Sequence, residues 1–284
     1  MISSWVGRTT RSVVARKGTP SFARLFSSRA DGPVVVDKQE NGVCVVTLSN
    51  EAKLNPMTVL MGEAFEETMK DLATDDTLKA CVLTGAGTAF SAGGDLQFLR
   101  DRTNDTPYNN TKIMRAFYRR FLSLRNLPIP VISALNGPAI GAGFCVALAT
   151  DIRVTHPKCK LGLTFVGLGL HPGMAATHYL PRLVGHQTAA RLLLTGDVIS
   201  GQEASDLGLA LLADDPLEHA LSLAGRIAKQ SPDAVQMCVR SLRNAQDDQI
   251  ERSLWREADC QAHNYATSVG EGLDALIEKR TPSW

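Results

Sequence analysis

Among its six cysteines (Cys44, Cys81, Cys145, Cys159, Cys238 and Cys260) the chain has no Cys-x-x-Cys pair. That argues against a structural zinc site and fits free thiols in a reducing compartment. Long hydrophobic runs are also missing. Glycine, proline or charge interrupts each one well short of the ~20 residues that span a bilayer, so no transmembrane helix and no membrane partner are expected. Acidic residues are absent from the first 30 positions, which hold Arg8, Arg11, Arg16, Lys17, Arg24, Arg29 and six serines. Such a segment has the composition of a mitochondrial or plastid transit peptide, with a basic tail that is never cleaved as the alternative, and Arg24-Leu25-Phe26-Ser27 resembles a matrix-processing site. Residues 1–29 are therefore expected to be a leader and the mature protein to reside in the mitochondrial matrix. Without those six cations the balance is 24 basic against 29 acidic residues, which leaves no overall attraction to nucleic acid.

Charge is lacking, too, where chemistry would be expected to need it. Asn136-Gly137-Pro138-Ala139-Ile140-Gly141-Ala142-Gly143-Phe144 forms a glycine-punctuated turn between the apolar strand Pro130–Leu135 and an apolar helix ending near Thr150. A second small-residue turn, Phe90-Ser91-Ala92-Gly93-Gly94-Asp95, follows another apolar strand, Leu78–Thr84. Two such turns can bring two backbone N–H donors onto one developing negative oxygen, which is the design of an oxyanion hole. Yet from Gly141 to Thr150 no side chain carries a charge, and only Cys145 could acquire one.

The remaining pattern alternates strands and helices. Val34–Asp37 and Val43–Leu48, separated by Glu40-Asn41-Gly42, read as a hairpin. Met57, Leu60, Met61, Ala64, Phe65, Met69 and Leu72 recur at helical spacing after Pro56. Arg100–Asn110, polar and containing Pro107, reads as a surface loop. Ile113, Phe117, Phe121 and Leu124 mark another helix, and Asp151–Thr155 another strand. Lys112, Arg115, Arg119 and Arg120 on that helix read as a solvated face rather than an RNA-binding one. From Pro172 onward the signal is helical: His178–Leu194, Gly201–Leu207, Leu217–Lys229, Pro232–Ala245, Gln249–Ala266 and Glu271–Lys279. The expectation is an α/β core over residues 30–215 with parallel pairing, followed by a helical region over 216–284.

With these elements placed, the chain resembles the crotonase superfamily of enoyl-CoA hydratases and isomerases. The likeness rests on Val82-Leu83-Thr84-Gly85, Phe90-Ser91-Ala92-Gly93-Gly94-Asp95-Leu96, Pro130 to Gly137, Gly141-Ala142-Gly143, Leu194-Thr195-Gly196-Asp197 and Glu271-Gly272-Leu273 with Glu278-Lys279-Arg280, all in family order. The resemblance implies a spiral of ββα units, a C-terminal helical region used for trimers or dimers of trimers, and an acyl-CoA substrate with no further cofactor and no metal. It places the oxyanion hole at the N–H groups of Gly94 and Ala142. It sets Lys53 and Leu54, the segment Ala92, Gly94, Asp95, Leu96 and Gln97, and Lys279 where the family wraps CoA.

The family's hydratases flank that hole with two glutamates, and the matching positions here are Cys145 and Phe165. Phenylalanine transfers no proton, and an ordinary thiol is a poor base at neutral pH. Cys145 reads as a small buried hydrophobe on its helix, with a thiolate nucleophile as the alternative. His171, six residues past Phe165, is a candidate proton-transfer group, with a hydrogen-bonded turn residue as its alternative. Asp95 reads as a helix cap and His156 as a turn residue. His178 is expected to pack or to face solvent, and Gly85-Ala86-Gly87 reads as a turn. The function implied is an acyl-CoA enzyme of the hydratase/isomerase type working through a thioester enolate, with decarboxylation, thioester hydrolysis or a non-catalytic CoA-binding scaffold as alternatives.

Overall fold

The computed structural model describes residues 32–284; the expected leader, residues 1–29, lies outside them. A hairpin opens the fold, with β1 (Val34–Lys38) antiparallel to β2 (Val43–Leu48). Helix α1 (Val59–Ala73) starts at Thr58, whose hydroxyl accepts the Met61 amide at 3.1 Å, a side-chain N-cap. The chain then returns to the sheet as β3 (Ala80–Gly85) and, after α2 (Leu96–Thr103) and α3 (Pro107–Leu122), as β4 (Val131–Leu135).

From β4 the path alternates between two sheets. β5 (Ala139–Ile140) leaves for a small second sheet, α4 (Ala142–Leu148) follows, and β6 (Ile152–Thr155) rejoins the large one. β7 (Lys160–Gly162) and, after α5 (Ala176–Thr195), β8 (Val198–Ser200) complete the small sheet. Then come α6 (Gly201–Asp206) and the edge strand β9 (Leu211–Leu212). The large sheet runs β1-β2-β3-β4-β6-β9, parallel from β2 onward, and the small one β5-β7-β8. The stepwise advance of both sheets is the expected spiral.

Both faces of the central strands β2, β3 and β4 are covered, which is why they are almost wholly apolar. Cys44, Val46, Cys81, Leu83, Val131 and Leu135 face α1 and α3, where Met61, Phe65, Phe117 and Phe121 pack. Their neighbours Val43, Val45, Ala80, Val82, Ile132 and Ala134 face α7 (Pro216–Ile227), which presents Ala220 and Ala224, with Ala228 just beyond its end. The first helix of the expected C-terminal region is thus one wall of the sheet's core. Helix α8 (Pro232–Thr267) lies along α3, and α9 (Val269–Glu278) closes the chain. Arg243 of α8 is buried, pairs with Asp151 at 2.5 Å, and donates to the carbonyls of Arg125, Leu127 and Ile129. It thereby ties α8 to the start of β4.

Three expectations need correction. Arg100–Asn110 is not a loop: α2 runs to Thr103, and Pro107 stands at the first position of α3 behind the N-cap Thr106, where its missing N–H is harmless. Pro232–Ala245 and Gln249–Ala266 are one helix of 36 residues; the polar run between them interrupts the apolar stripe but contains no glycine or proline. The stretch after Pro172 is not purely helical, because β8 and β9 are too short to show as apolar runs.

Candidate active site

The two glycine turns are built by side chains far apart in sequence. Asn136 donates through Nδ2 to the carbonyls of Gly85 and Gly87, each at 2.9 Å, and its Oδ1 accepts the Gly85 amide at 3.2 Å. Asn55, fully buried, donates to the carbonyls of Ala86 and Ala89 at 2.9 Å, while its own carbonyl accepts Ser91 Oγ at 2.7 Å. Ile140 N donates to the Ser91 carbonyl at 3.0 Å. The turns pack so tightly that a Cβ on Gly143 would fall 2.7 Å from the Ser91 Cβ. Gly93, at φ +98°, carries its chain past the Ile140 carbonyl and within reach of the Ala142 amide. Ala142 is the first residue of α4, preceded by Gly141 at φ 54°, and a first-turn amide has no acceptor within its own helix.

These turns form one end of a cavity of about 430 Å³. Ala92, Gly93, Gly94, Gly141 and Ala142 line it there, α2 and α3 contribute Phe98, Leu99, Met114 and Phe117, and Phe165, Leu168 and Leu170 close another side. The lining contains no Asp, Glu, Lys, Arg or His. Its polar side chains are Tyr118, Thr164, Gln261 and Tyr265. A wall of this kind takes an apolar acyl group, with orientation set by a few polar groups. No group of three or more His, Cys, Asp or Glu placed to hold a metal ion occurs among the described residues.

Several expected site residues are placed elsewhere. Cys145 is fully buried on α4 and is not among the lining residues. Burial, and then the charge of Glu257, push its thiol well above the ordinary range, which is the wrong direction for a nucleophile. His171 is also outside the lining. Its amide donates to Asn264 Oδ1 at 2.9 Å, its carbonyl accepts Gln261 Nε2 at 2.7 Å, and its Nδ1 lies 2.6 Å from the Pro172 carbonyl oxygen. Burial lowers its pKa, against a smaller upward pull from that carbonyl. It is a hydrogen-bonded turn residue.

Ala92, Gly94, Leu96 and Phe165 line the cavity; Lys53, Leu54, Asp95, Gln97 and Lys279 do not. Leu54, left-handed at φ 60°, accepts the Ala92 amide at 2.8 Å and so shapes the first turn from behind. Asp95 caps α2, its Oδ1 accepting the Phe98 amide at 2.8 Å. Gln97 bonds Asp101, and Lys53 and Lys279 are exposed, Lys279 at the left-handed end of α9.

One acidic group behind the cavity escaped the sequence reading. Glu257 of α8 is 1% exposed and accepts the amides of Ala175 at 2.7 Å and Thr177 at 3.0 Å, with the Thr177 hydroxyl at 2.5 Å. It holds the start of α5, where Met174 and Ala175 both adopt positive φ and Met174 faces the cavity. Burial raises its pKa to about 7, against those three hydrogen bonds. Ile250, Leu254, Ala258 and Tyr265 mark the apolar stripe on which Glu257 and Gln261 fall, and that stripe was the available signal.

The sequence pattern of enoyl-CoA hydratase/isomerase matches residues 38–284. The chain belongs to that family. It is 31% identical to the 2,3-dehydroadipyl-CoA hydratase of Escherichia coli (strain K12), over 88% of this chain and 98% of that one. It is likewise 31% identical to the 1,2-epoxyphenylacetyl-CoA isomerase of the same organism, over 88% and 97%. Among solved structures, an enoyl-CoA hydratase/isomerase from Mycobacterium paratuberculosis superposes with a TM-score of 0.79 at 29% identity, covering 88% of this chain and 98% of that one. The protein is an acyl-CoA-processing crotonase, an enzyme of the hydratase/isomerase kind. Phe165 puts an aromatic ring into the lining of its cavity.

Proposed function

We propose that the protein binds the acyl part of a CoA thioester in the cavity, with the thioester oxygen received by the N–H groups of Gly94 and Ala142. These donors stabilise the enolate that forms when the carbon beside the thioester gains electron density. The observation that carries this reading is the convergence of two interlocked glycine turns on one end of an apolar, uncharged cavity. Preorganised donors of this sort act in a water-poor site and need no reorganisation as charge develops; losing one costs about 3–4 kcal/mol. Lys53, Leu54, Asp95, Gln97 and Lys279 are assigned to the mouth, on the CoA side. The relatives named for hydratase and isomerase reactions on CoA thioesters support the substrate class.

The uncharged lining favours one version of this chemistry. Addition of water needs a base and an acid at the reacting carbons, and no carboxylate reaches the cavity. A 2-carboxyacyl thioester generates its own enolate: the bond to the carboxylate breaks, carbon dioxide leaves, the electron pair passes to the thioester oxygen, and a proton from water completes the α-carbon. The test is a panel of 2-enoyl, 3-enoyl and 2-carboxyacyl CoA thioesters with products identified by mass spectrometry. Turnover of one class supports the reading, and no turnover of any overturns it.

The same proposal places the mature protein in the mitochondrial matrix, supported by the cationic, acid-free first 30 residues; import and processing near Ser27 test it. It also takes the protein as a trimer or dimer of trimers. Leu194, Met237, Leu242 and Trp255, exposed on α5 and α8, supply apolar surface for contact between copies, and sedimentation analysis reads the number of chains.

A further inference from the structure

A second cavity, of about 210 Å³, shares no lining residue with the acyl cavity. Four guanidinium groups line it, those of Arg125, Arg153, Arg182 and Arg243, against the single carboxylate of Asp151. They converge from separate parts of the fold: Arg125 from the segment between α3 and β4, Arg153 from β6, Arg182 from α5 and Arg243 from α8. Arg243 takes both oxygens of Asp151, through Nε at 3.0 Å and Nη2 at 2.5 Å, and the Val131 amide adds a third bond at 2.7 Å. The lining therefore offers Arg153 and Arg182 no carboxylate of their own.

Arg153 is the decisive member. It is 8% exposed, and its Nε and Nη1 donate to the neutral carbonyls of Leu209 and Thr150, each at 2.7 Å. Its Nη2 makes no hydrogen bond among the described residues and is not among the polar atoms sealed from solvent, so it opens on the cavity. Burial pulls its pKa from 12.5 down to about 10, against a weaker upward pull from Asp151. A buried cation is normally balanced by an anion in direct contact. Arg182, exposed at the rim, likewise donates to neutral acceptors, the His178 carbonyl at 2.8 Å and Gln249 Oε1. Arg243, with all five N–H groups engaged, contributes charge alone.

A larger cavity of about 680 Å³ adjoins this one, and both are lined by Arg125 and Tyr179. Lys112, Arg115 and Arg119 of α3 face it, against Glu251. Cations placed beside the smaller cavity draw anions toward it.

We propose that Arg153 and Arg182 bind a phosphate group, free or as a monoester, in the smaller cavity. Guanidinium forks match the oxygens of phosphate, and such charge-assisted bonds are the strong ones. The smaller cavity has room for the phosphate, and the larger one beside it has room for an attached carbon body. Because its walls come from β6, α5 and α8, a bound phosphate bridges these elements and stabilises the fold without joining the reaction in the acyl cavity. The inference does not rest on the acyl-CoA reading.

The test measures the affinity of the full chain for inorganic phosphate and for ribose 5-phosphate by phosphorus NMR titration, and thermal unfolding in each against sodium chloride of matched ionic strength. At about ten times the dissociation constant, either ligand is expected to raise the unfolding midpoint by about 3 °C over chloride. Tighter binding of phosphate names the free ion as the source, and tighter binding of ribose 5-phosphate names a monoester. Arg182→Gln, at an exposed position, is expected to keep its midpoint in chloride and to bind about tenfold more weakly, the loss of one charge-assisted hydrogen bond. Arg153→Lys, which keeps the charge and loses the fork, is expected to weaken binding as well. Saturating acetoacetyl-CoA is expected to leave phosphate affinity unchanged. A midpoint no higher than in chloride, or an affinity that both variants retain, overturns the site and assigns the balancing charge to acidic side chains of α8 or of a second copy. Competition with the thioester overturns the separate site and moves the phosphate to the CoA side.

Discussion

Gly93 passes the carbonyl of Ile140 so closely that a methyl group on its Cα would stand 2.6 Å from that oxygen, at a φ of +98° that side chains rarely adopt. The contact joins the two turns, and the spacing of the Gly94 and Ala142 amides depends on it. Gly93→Ala is therefore expected to separate the turns and reduce kcat/KM on a CoA thioester about 100-fold, the order of loss of one oxyanion donor. Steady-state kinetics check this, and a loss below about threefold would detach the turn contact from catalysis.

Glu257 gives stability a pH dependence. Its carboxyl is raised from an ordinary 4.5 to about 7, chiefly by burial, so between those values the folded state holds a proton that the unfolded chain has released. Its contribution is full below about pH 4.5 and is lost as pH rises to about 7, a change of about 3 kcal/mol from a shift of this size. Urea unfolding at pH 5 and pH 7 reads the slope, and Glu257→Gln is expected to flatten it. An unchanged slope in that variant would assign the dependence to another group.

Cys145 is expected to be chemically silent. Buried and with its thiol pushed up, it should resist iodoacetamide at pH 8 in the folded protein, whereas the exposed Cys238 reacts. Peptide mapping distinguishes them. Fast alkylation of Cys145 in the native state, with loss of activity, would restore it as a candidate nucleophile.

Phe165 lines the cavity, and the family resemblance matches its position to one of the two glutamates of the hydratases. Phe165→Glu places a carboxyl in the cavity, and hydration of a 2-enoyl thioester is expected to rise at least tenfold, toward the lower part of the range for general acid–base catalysis. Assays of water addition by absorbance and mass read the gain. No gain in a folded variant would mean that position 165 does not reach the reacting carbons.

Local signals made much of this molecule readable in advance. The hairpin, the apolar strands at Leu78–Thr84 and Pro130–Leu135, and the two glycine turns follow from side-chain period and turn chemistry, and the structure brings the turns together. Asp95 as a cap was legible for the same reason, since its carboxylate and the Phe98 amide it accepts from lie three positions apart. What stayed hidden depends on contacts distant in sequence. Arg243, Glu257 and Gln261 sit on a helix whose composition is polar, and their burial arises because α8 packs along α3 and against the segments that lead into β4 and α5. His171 looked like a proton-transfer group because histidine usually is available for one; its neighbours Asn264 and Gln261, some 90 residues on, turn it into structure. Cys145 was ambiguous between packing and chemistry until the direction of its side chain was known.

The central claim is that Gly94 and Ala142 stabilise a thioester enolate without an acid or base in the cavity. It is tested most directly by the ultraviolet spectrum of acetoacetyl-CoA, which can enolise unaided, on binding to the full-length protein at neutral pH. The account predicts that the bound thioester shows the absorbance of its enolate and that Gly93→Ala, folded by circular dichroism though with a lower denaturant midpoint, abolishes the shift. Binding of acetoacetyl-CoA to the unaltered protein with the spectrum of the keto form alone would contradict it.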